Sequence, residues 1–255
     1  MRLCFIGNSH IVMVKSAWDE FAKSHADLEG EFFAASGSKM NGLELRGRSL
    51  VSDNPSVVDQ LKATSGGRTS IDVDRYDGFV LVGLNLGLVN VLRVGQDHRT
   101  VATVGKAPFG HLCSDGAFDL AVKRQFDAAS SRRIAEMIRS VDQKVPIAAV
   151  PTPHASRGIT GRSNQFWADA ELLSARAEQP WREQLEDFIR ACGVAFVEQR
   201  EETLDGRYFT ERRFSVGSVR LRGMTERVEE EFRHMNADYG ALVLQDVMPH
   251  FGSAA

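Results

Sequence analysis

The stretch Arg2-Leu3-Cys4-Phe5-Ile6-Gly7-Asn8-Ser9-His10 decides how the rest of the chain reads. Arg2 to Ile6 is a compact apolar segment that predicts a first buried strand, and Val12 to Ala22 follows with helical spacing. A serine at the junction of a first strand and a first helix sits at the carboxyl end of a sheet. Open α/β folds place their ligand crevice there.

Outward from this stretch, strands and helices alternate. Gly30 to Ala35 reads as a second strand ending at Ser36-Gly37-Ser38. Leu43-Glu44-Leu45 and Ser49-Leu50-Val51 flank Arg46-Gly47-Arg48 as a small hairpin. Asp53-Asn54-Pro55 starts a short helix that Gly66-Gly67 ends. Tyr76 to Gly83 carries a continuous apolar run, the mark of a parallel strand covered on both faces. Leu88 to Gly116 is less regular. Ser114-Asp115 then caps what reads as one long helix with apolar residues from Phe118 to Ile138. Pro146 to Val150 is another buried strand. His154 to Glu178 reads as a polar loop, Pro180 as the opening of a helix that Gly193 stops, Val194 to Val197 as a last short strand, and Asn236 to Met248 as a final amphipathic helix. The alternation predicts an α/β fold, a three-layer α/β/α sandwich on a mainly parallel central sheet. One domain spans 1–255, with insertions at about 36–74 and 152–179.

Composition excludes several classes. The net charge of −3 gives no global field toward nucleic acid or a membrane surface, so neither is an expected partner, and nothing in the sequence sets an oligomeric state. The apolar runs at Phe79 to Val82 and Ile147 to Val150 are too short to cross a bilayer. The N-terminal apolar segment breaks at Gly7 before a signal-peptide core forms. Three cysteines at Cys4, Cys113 and Cys192 have no motif spacing. Reduced thiols and a cytoplasmic location are the expectation.

Serine is a weak nucleophile until a base takes its proton, and histidine is the usual base. Of seven histidines, His10 adjoins Ser9, but neighbouring residues project in different directions. His98, His111 and His154 lie in loops. His234 stands apart because Glu231 precedes it by three residues, just ahead of the last helix. An acid so placed can fold back onto the imidazole, fix its tautomer and stabilise the imidazolium. The alternative reading of Glu229-Glu230-Glu231 is a solvated helix face. Asp97, His98, His111, Cys113 and Asp115 fit no zinc spacing and read as incidental loop residues. Gly83-Leu84-Asn85-Leu86-Gly87 lacks the third glycine of a dinucleotide fingerprint.

Gly7-Asn8-Ser9-His10, Gly83-Leu84-Asn85 and Glu231-Phe232-Arg233-His234 together resemble three blocks of the SGNH/GDSL hydrolase superfamily, whose usual forms are Gly-Asp-Ser, Gly-x-Asn and Asp-x-x-His. The order of the blocks matches, and they span almost the whole chain. The resemblance implies a serine esterase: Ser9 as nucleophile, His234 as base and Glu231 as the supporting acid. It also implies an oxyanion hole built from the Ser9 N–H, a glycine N–H after the second strand (Gly37, with Gly42 the alternative) and the Asn85 side chain. Asn8 and Glu231 depart from the family pattern, each standing where aspartate is usual. No metal or organic cofactor is implied.

The expected substrate is a small-molecule or glycan ester, most simply a short acyl group on a carbohydrate, with His10, His154 and Arg157 as candidate substrate contacts. Arg157, Arg162, Arg207, Arg212, Arg213, Arg220 and Arg222 lie in two loops and suit an anionic or sugar-like ligand, or open solvent. Acyl transfer to a glycan hydroxyl and a non-catalytic glycan-binding or assembly role are the alternatives.

Overall fold

The structure, a computed structural model, describes residues 1–161, 165–221, 223–227 and 231–252. Arg162, Arg222, Glu229 and Glu230 lie outside the described residues. In chain order, β1 (Arg2–Gly7) leads into α1 (Ile11–Lys23) and β2 (Glu29–Ala34). A small antiparallel sheet follows, made of β3 (Glu44–Arg46), β4 (Ser49–Val51) and, after α2 (Pro55–Ser65), β5 (Ile71–Asp72). Next come β6 (Gly78–Val82), the short helices α3 (Leu88–Val91) and α4 (Val94–Asp97), and the paired β7 (His98–Arg99) and β8 (His111–Leu112). The chain continues through α5 (Asp115–Asp127), α6 (Ser130–Val141), β9 (Ile147–Val150), α7 (Ala170–Cys192), β10 (Ala195–Phe196) and α8 (Ala237–Val247).

The central sheet has five strands in the order β10-β9-β6-β1-β2, every pairing parallel. Side chains of its inner strands alternate between two cores, as a period of two requires. Leu3, Phe5, Val80, Val82, Ala148 and Val150 pack with α1 and α8 on one face. Cys4, Ile6, Phe79, Leu81, Ile147 and Ala149 pack on the other with Val57 and Leu61 of α2, Phe118 of α5, Ile134 of α6 and Leu185 of α7. The result is the α/β/α sandwich expected from the alternation. α8 crosses α1 closely enough that a Cβ on Gly240 would collide with the Met13 carbonyl. This contact fixes α8, and hence the histidine loop ahead of it, against the helix that follows Ser9. No described helix is long and apolar enough to cross a membrane.

Two elements differ from the sequence expectation. The long helix from Ser114 is two helices, broken at Ala128-Ala129, where Ala129 takes extended backbone. The break lets the start of α6 serve the β6 loop: the Ser131 N–H donates to the Leu84 carbonyl at 3.2 Å, and the Ser130 hydroxyl to the Asn41 side chain. α7 begins at Ala170, ten residues before Pro180, and holds that proline in its interior. The stretch read as loop through Glu178 is therefore helical from Ala170.

Candidate active site

The sheet order places the site. Counted along the chain, the five strands run 2-1-3-4-5, so the connections reverse direction between β1 and β6. Crevices open at such a point, beyond the carboxyl ends of the strands. Gly7 at the end of β1 is in register with Val82 at the end of β6. Ser9 and Asn85 therefore leave neighbouring strands side by side.

The turn after β1 is held by short polar contacts. The Asn8 N–H reaches the Val82 carbonyl at 3.4 Å, and the Asn8 carbonyl accepts from the Ile11 N–H at 3.1 Å. The Asn8 side-chain oxygen accepts from the His10 N–H at 3.1 Å, an Asx turn that an aspartate would make equally well. After β6 the backbone turns left-handed at three successive residues, Gly83 (φ 72°), Leu84 (φ 47°) and Asn85 (φ 61°). Sustained positive φ at two non-glycine residues is strained, and such strain persists only where surroundings impose it. The Ser131 and Val150 contacts to Leu84 and Gly83 impose it here. A Cβ on Gly83 would lie 2.6 Å from the Asn8 side-chain oxygen. Gly83→Ala is therefore expected to lower stability by about 1–3 kcal/mol in urea or thermal unfolding, and to disturb the serine turn through Asn8.

His234 approaches from the opposite end of the chain. Asn236 caps α8 through the Tyr239 N–H, at 3.2 Å, and its side-chain amide donates to the Arg213 and Val216 carbonyls, each at 2.9 Å. The Phe232 carbonyl accepts from the Ser156 N–H at 2.7 Å. So anchored, His234 Nε2 lies 2.9 Å from Ser9 Oγ. Its Nδ1 lies 3.3 Å from Glu231 Oε1, an ion-pair distance whose angle falls short of a hydrogen bond. Glu231 is itself held: Oε1 accepts from the Arg233 N–H at 2.7 Å, and Oε2 from Arg227 Nη1 at 3.0 Å. The His10 ring stacks on His234, with centroids 4.6 Å apart and planes within 13°.

Electrostatics favour a neutral base beside an ionised acid. Burial alone would push the Glu231 carboxyl up, but His234, the Arg233 N–H and the Arg227 guanidinium hold it well below the usual carboxylate range. Burial lowers the His234 imidazole. Glu231 opposes this only in part, and the Arg227 and Arg233 charges lower it again. Burial, then the neighbouring His234 and Arg233, push the His10 imidazole well below its usual value. The Ser9 N–H and the Asn85 side-chain amide have no hydrogen-bond acceptor among the described residues. Gly37 (φ 65°) lies on an exposed turn just past β2, the strand on the other side of β1; Gly42 ends a short 3-10 turn farther on.

The structure separates the substrate candidates. His10 lines a small chamber beside His234. His154 lines a different cavity, of about 600 Å³, with Glu178 and Trp181, and burial holds its imidazole down at about 4. Arg157 is engaged by Asp205 at 2.9 Å and Glu171 at 3.2 Å. Arg207 pairs with Glu178, and Arg213 with Glu211. His98 and His111 sit opposite one another on β7 and β8, ring centroids 5.7 Å apart. Among the described residues no group of three His, Cys, Asp or Glu is placed to hold a metal. Sequence reasoning passed over Arg227, which orients Glu231, and Asn90 and Arg93, which line the chamber at His10. No spacing signal marks them, because contacts between stretches distant in sequence bring them to the site.

No family model and no curated protein matches the sequence. Among solved structures the chain is similar to a GDSL-like lipase from Bacteroides thetaiotaomicron, at 11% identity over 100% of this chain and 89% of that one, with a TM-score of 0.43. It is similar also to phospholipase A1 from Streptomyces albidoflavus, at 12% identity over 96% and 98%, TM-score 0.48. A third is an acetyl-xylooligosaccharide esterase from a Geobacillus species, at 12% identity over 99% and 94%, TM-score 0.41.

Proposed function

We propose that the chain is a serine ester hydrolase of the SGNH type, working through an acyl-enzyme on Ser9. The observation that carries the reading is the Ser9–His234 contact at 2.9 Å, backed by a half-buried carboxylate. Ser9 Oγ attacks the ester carbonyl carbon as His234 Nε2 takes its proton. The oxyanion so formed is met by the Ser9 N–H, the Asn85 amide and the N–H of Gly37. Such donors are typically worth about 3 kcal/mol each in the transition state. Collapse breaks the bond to the alcohol oxygen, which leaves with the proton held on His234. Water, deprotonated by the same nitrogen, then releases the acid and restores Ser9.

A short acyl group on a polar alcohol such as a sugar suits the surroundings. Among the described residues, the cavity that adjoins the histidine chamber is walled by arginine, glutamine, aspartate and aromatic residues, with no continuous aliphatic lining for a long lipid chain. The unpaired thiols Cys4, Cys113 and Cys192 suit a reducing, cytoplasmic setting.

The test is labelling with a fluorophosphonate probe. The native protein is expected to form a Ser9 adduct that Ser9→Ala cannot form. Absence of any Ser9-dependent adduct from mildly acidic to mildly basic pH would falsify the esterase reading. Since the His234 imidazole is lowered, its base form persists in mild acid. The acid limb of the labelling rate is expected below the ordinary histidine range.

A further inference from the structure

The chamber beside the histidine pair has an unusual wall. Its lining includes His10, Asn90 and Thr152, each more than nine-tenths buried. His10 Nδ1, Asn90 Oδ1 and Thr152 Oγ1 have no hydrogen-bond partner among the described residues. Buried polar atoms are normally paired with protein or ordered water, so three orphans on one small chamber mark a polar place open to a water or to a polar ligand group. The chamber adjoins an open cavity of about 650 Å³, and Arg93, Trp167 and Arg233 belong to both walls. Phe166 and Trp167 line the open cavity as well, both mostly buried, their ring centroids 4.5 Å apart.

Arg93 differs from most arginines of this chain. It stands exposed between α3 and α4, and its guanidinium has no hydrogen bond or ion pair among the described residues. Asp97 is the one carboxylate on the described wall of the open cavity, against the two guanidiniums. A guanidinium fork recognises carboxylates and phosphates in two-point fashion.

Chemistry sets which half of an ester lies here. The leaving alcohol oxygen must receive its proton from His234 Nε2, whereas the carbonyl oxygen points toward Asn85 and Gly37. The chamber starts at His10, stacked on the imidazole that hands over this proton, and neither Asn85 nor Gly37 lines it. We propose that this cavity binds the alcohol part of the substrate and that Arg93 selects alcohols carrying an acidic group, a carboxylate or a phosphate, as on an acidic sugar. This rests on the esterase reading and narrows its substrate class.

The experiment compares 4-acetoxybenzoate with its neutral methyl ester as substrates. Arg93→Gln is expected to lower the anionic-to-neutral ratio of kcat/KM about tenfold, the usual scale for one charge-assisted contact, and Arg93→Glu to lower it further. Arg190→Glu makes the same charge change in the last turn of α7, at the end of the sheet away from the site, and is expected to keep the native ratio. A ratio within about twofold of native in both Arg93 variants overturns the proposal. A second arm needs no turnover. Calorimetric titration of the Ser9→Ala protein with D-glucuronate, D-glucose 6-phosphate and D-glucose is expected to show tighter binding of an acidic sugar, and which acid is preferred tells carboxylate from phosphate. That advantage is expected to vanish when Arg93→Glu is added, and equal binding of all three overturns the proposal. Loss of Ser9-dependent hydrolysis with acidic-sugar binding intact would instead count against the esterase reading alone.

Discussion

Ser9→Ala is expected to lower kcat/KM for a small aryl acetate by on the order of 10⁵–10⁶-fold, roughly 7–8 kcal/mol of transition-state stabilisation. The size follows from the loss of covalent catalysis: with no oxygen to acylate, His234 is left without the group it deprotonates. His234→Ala is expected to cost nearly as much, because a serine hydroxyl without a base is a poor nucleophile near neutrality. The double variant should be little worse than either single one, since the 2.9 Å contact makes the two side chains one device. Any activity left is expected to come from the Ser9 N–H and the Asn85 amide, if they polarise a bound carbonyl as proposed. Ser9 is half-buried on a surface turn, outside the two hydrophobic cores, so Ser9→Ala should unfold at the native urea midpoint. Steady-state kinetics check the effect, and a variant within tenfold of native would remove Ser9 from the mechanism.

The parts of this site that could be read from sequence are those whose signal is local. β1 and β6 announce themselves because both faces of a parallel strand are covered, leaving no polar alternation. α2 announces both ends: Asn54 accepts from the Ser56 N–H, Pro55 occupies the first turn, and Gly66 closes the helix left-handed at φ 76°. Glu231 and His234 are legible as a pair because three residues suffice for the side chain to fold back.

What could not be read was decided by contacts distant in sequence. Nothing at Ala128-Ala129 breaks a helix by propensity. The break exists because Ser130 and Ser131 bond to Asn41 and Leu84. Pro180 reads as a helix start because proline favours the first turn. The helix instead begins at Ala170, where Leu173 and Ala177, both fully buried, bring enough packing to outweigh a missing N–H. Nothing in the sequence marks Arg227; the strand-like bridge between Val219 and Glu226, and its own Nε donating to the Val219 carbonyl at 3.1 Å, turn it toward Glu231. Arg93 and Asn90 likewise reach His10 through the short helices after β6, a region without a periodic pattern.

Glu231→Gln should separate a working acid from a merely structural one. The native carboxylate lies 3.3 Å from His234 Nδ1 and bonds to Arg227 and the Arg233 N–H. The amide is nearly the same shape: with its oxygen in the Oε2 place it keeps the Arg227 contact, and its NH₂ takes the Oε1 place and gives up the acceptor for the Arg233 N–H. Its NH₂ then faces Nδ1 and favours the tautomer with the proton on Nε2, which cannot accept the Ser9 proton. A fall in kcat of about 10²–10⁴-fold is expected on that account. The sign of the pH effect is independent of the size. In the native protein Glu231 raises the His234 imidazole, while burial, Arg227 and Arg233 lower it. Removing the one raising influence leaves the others unopposed, so the acid limb of kcat/KM should move to still lower pH as the plateau drops. A group that only braced the loop would lower the plateau or the stability and leave the limb where it was. A full pH–rate profile beside urea unfolding distinguishes the two. An unmoved limb with a reduced unfolding midpoint would assign Glu231 to the scaffold and leave Ser9 and His234 as a dyad.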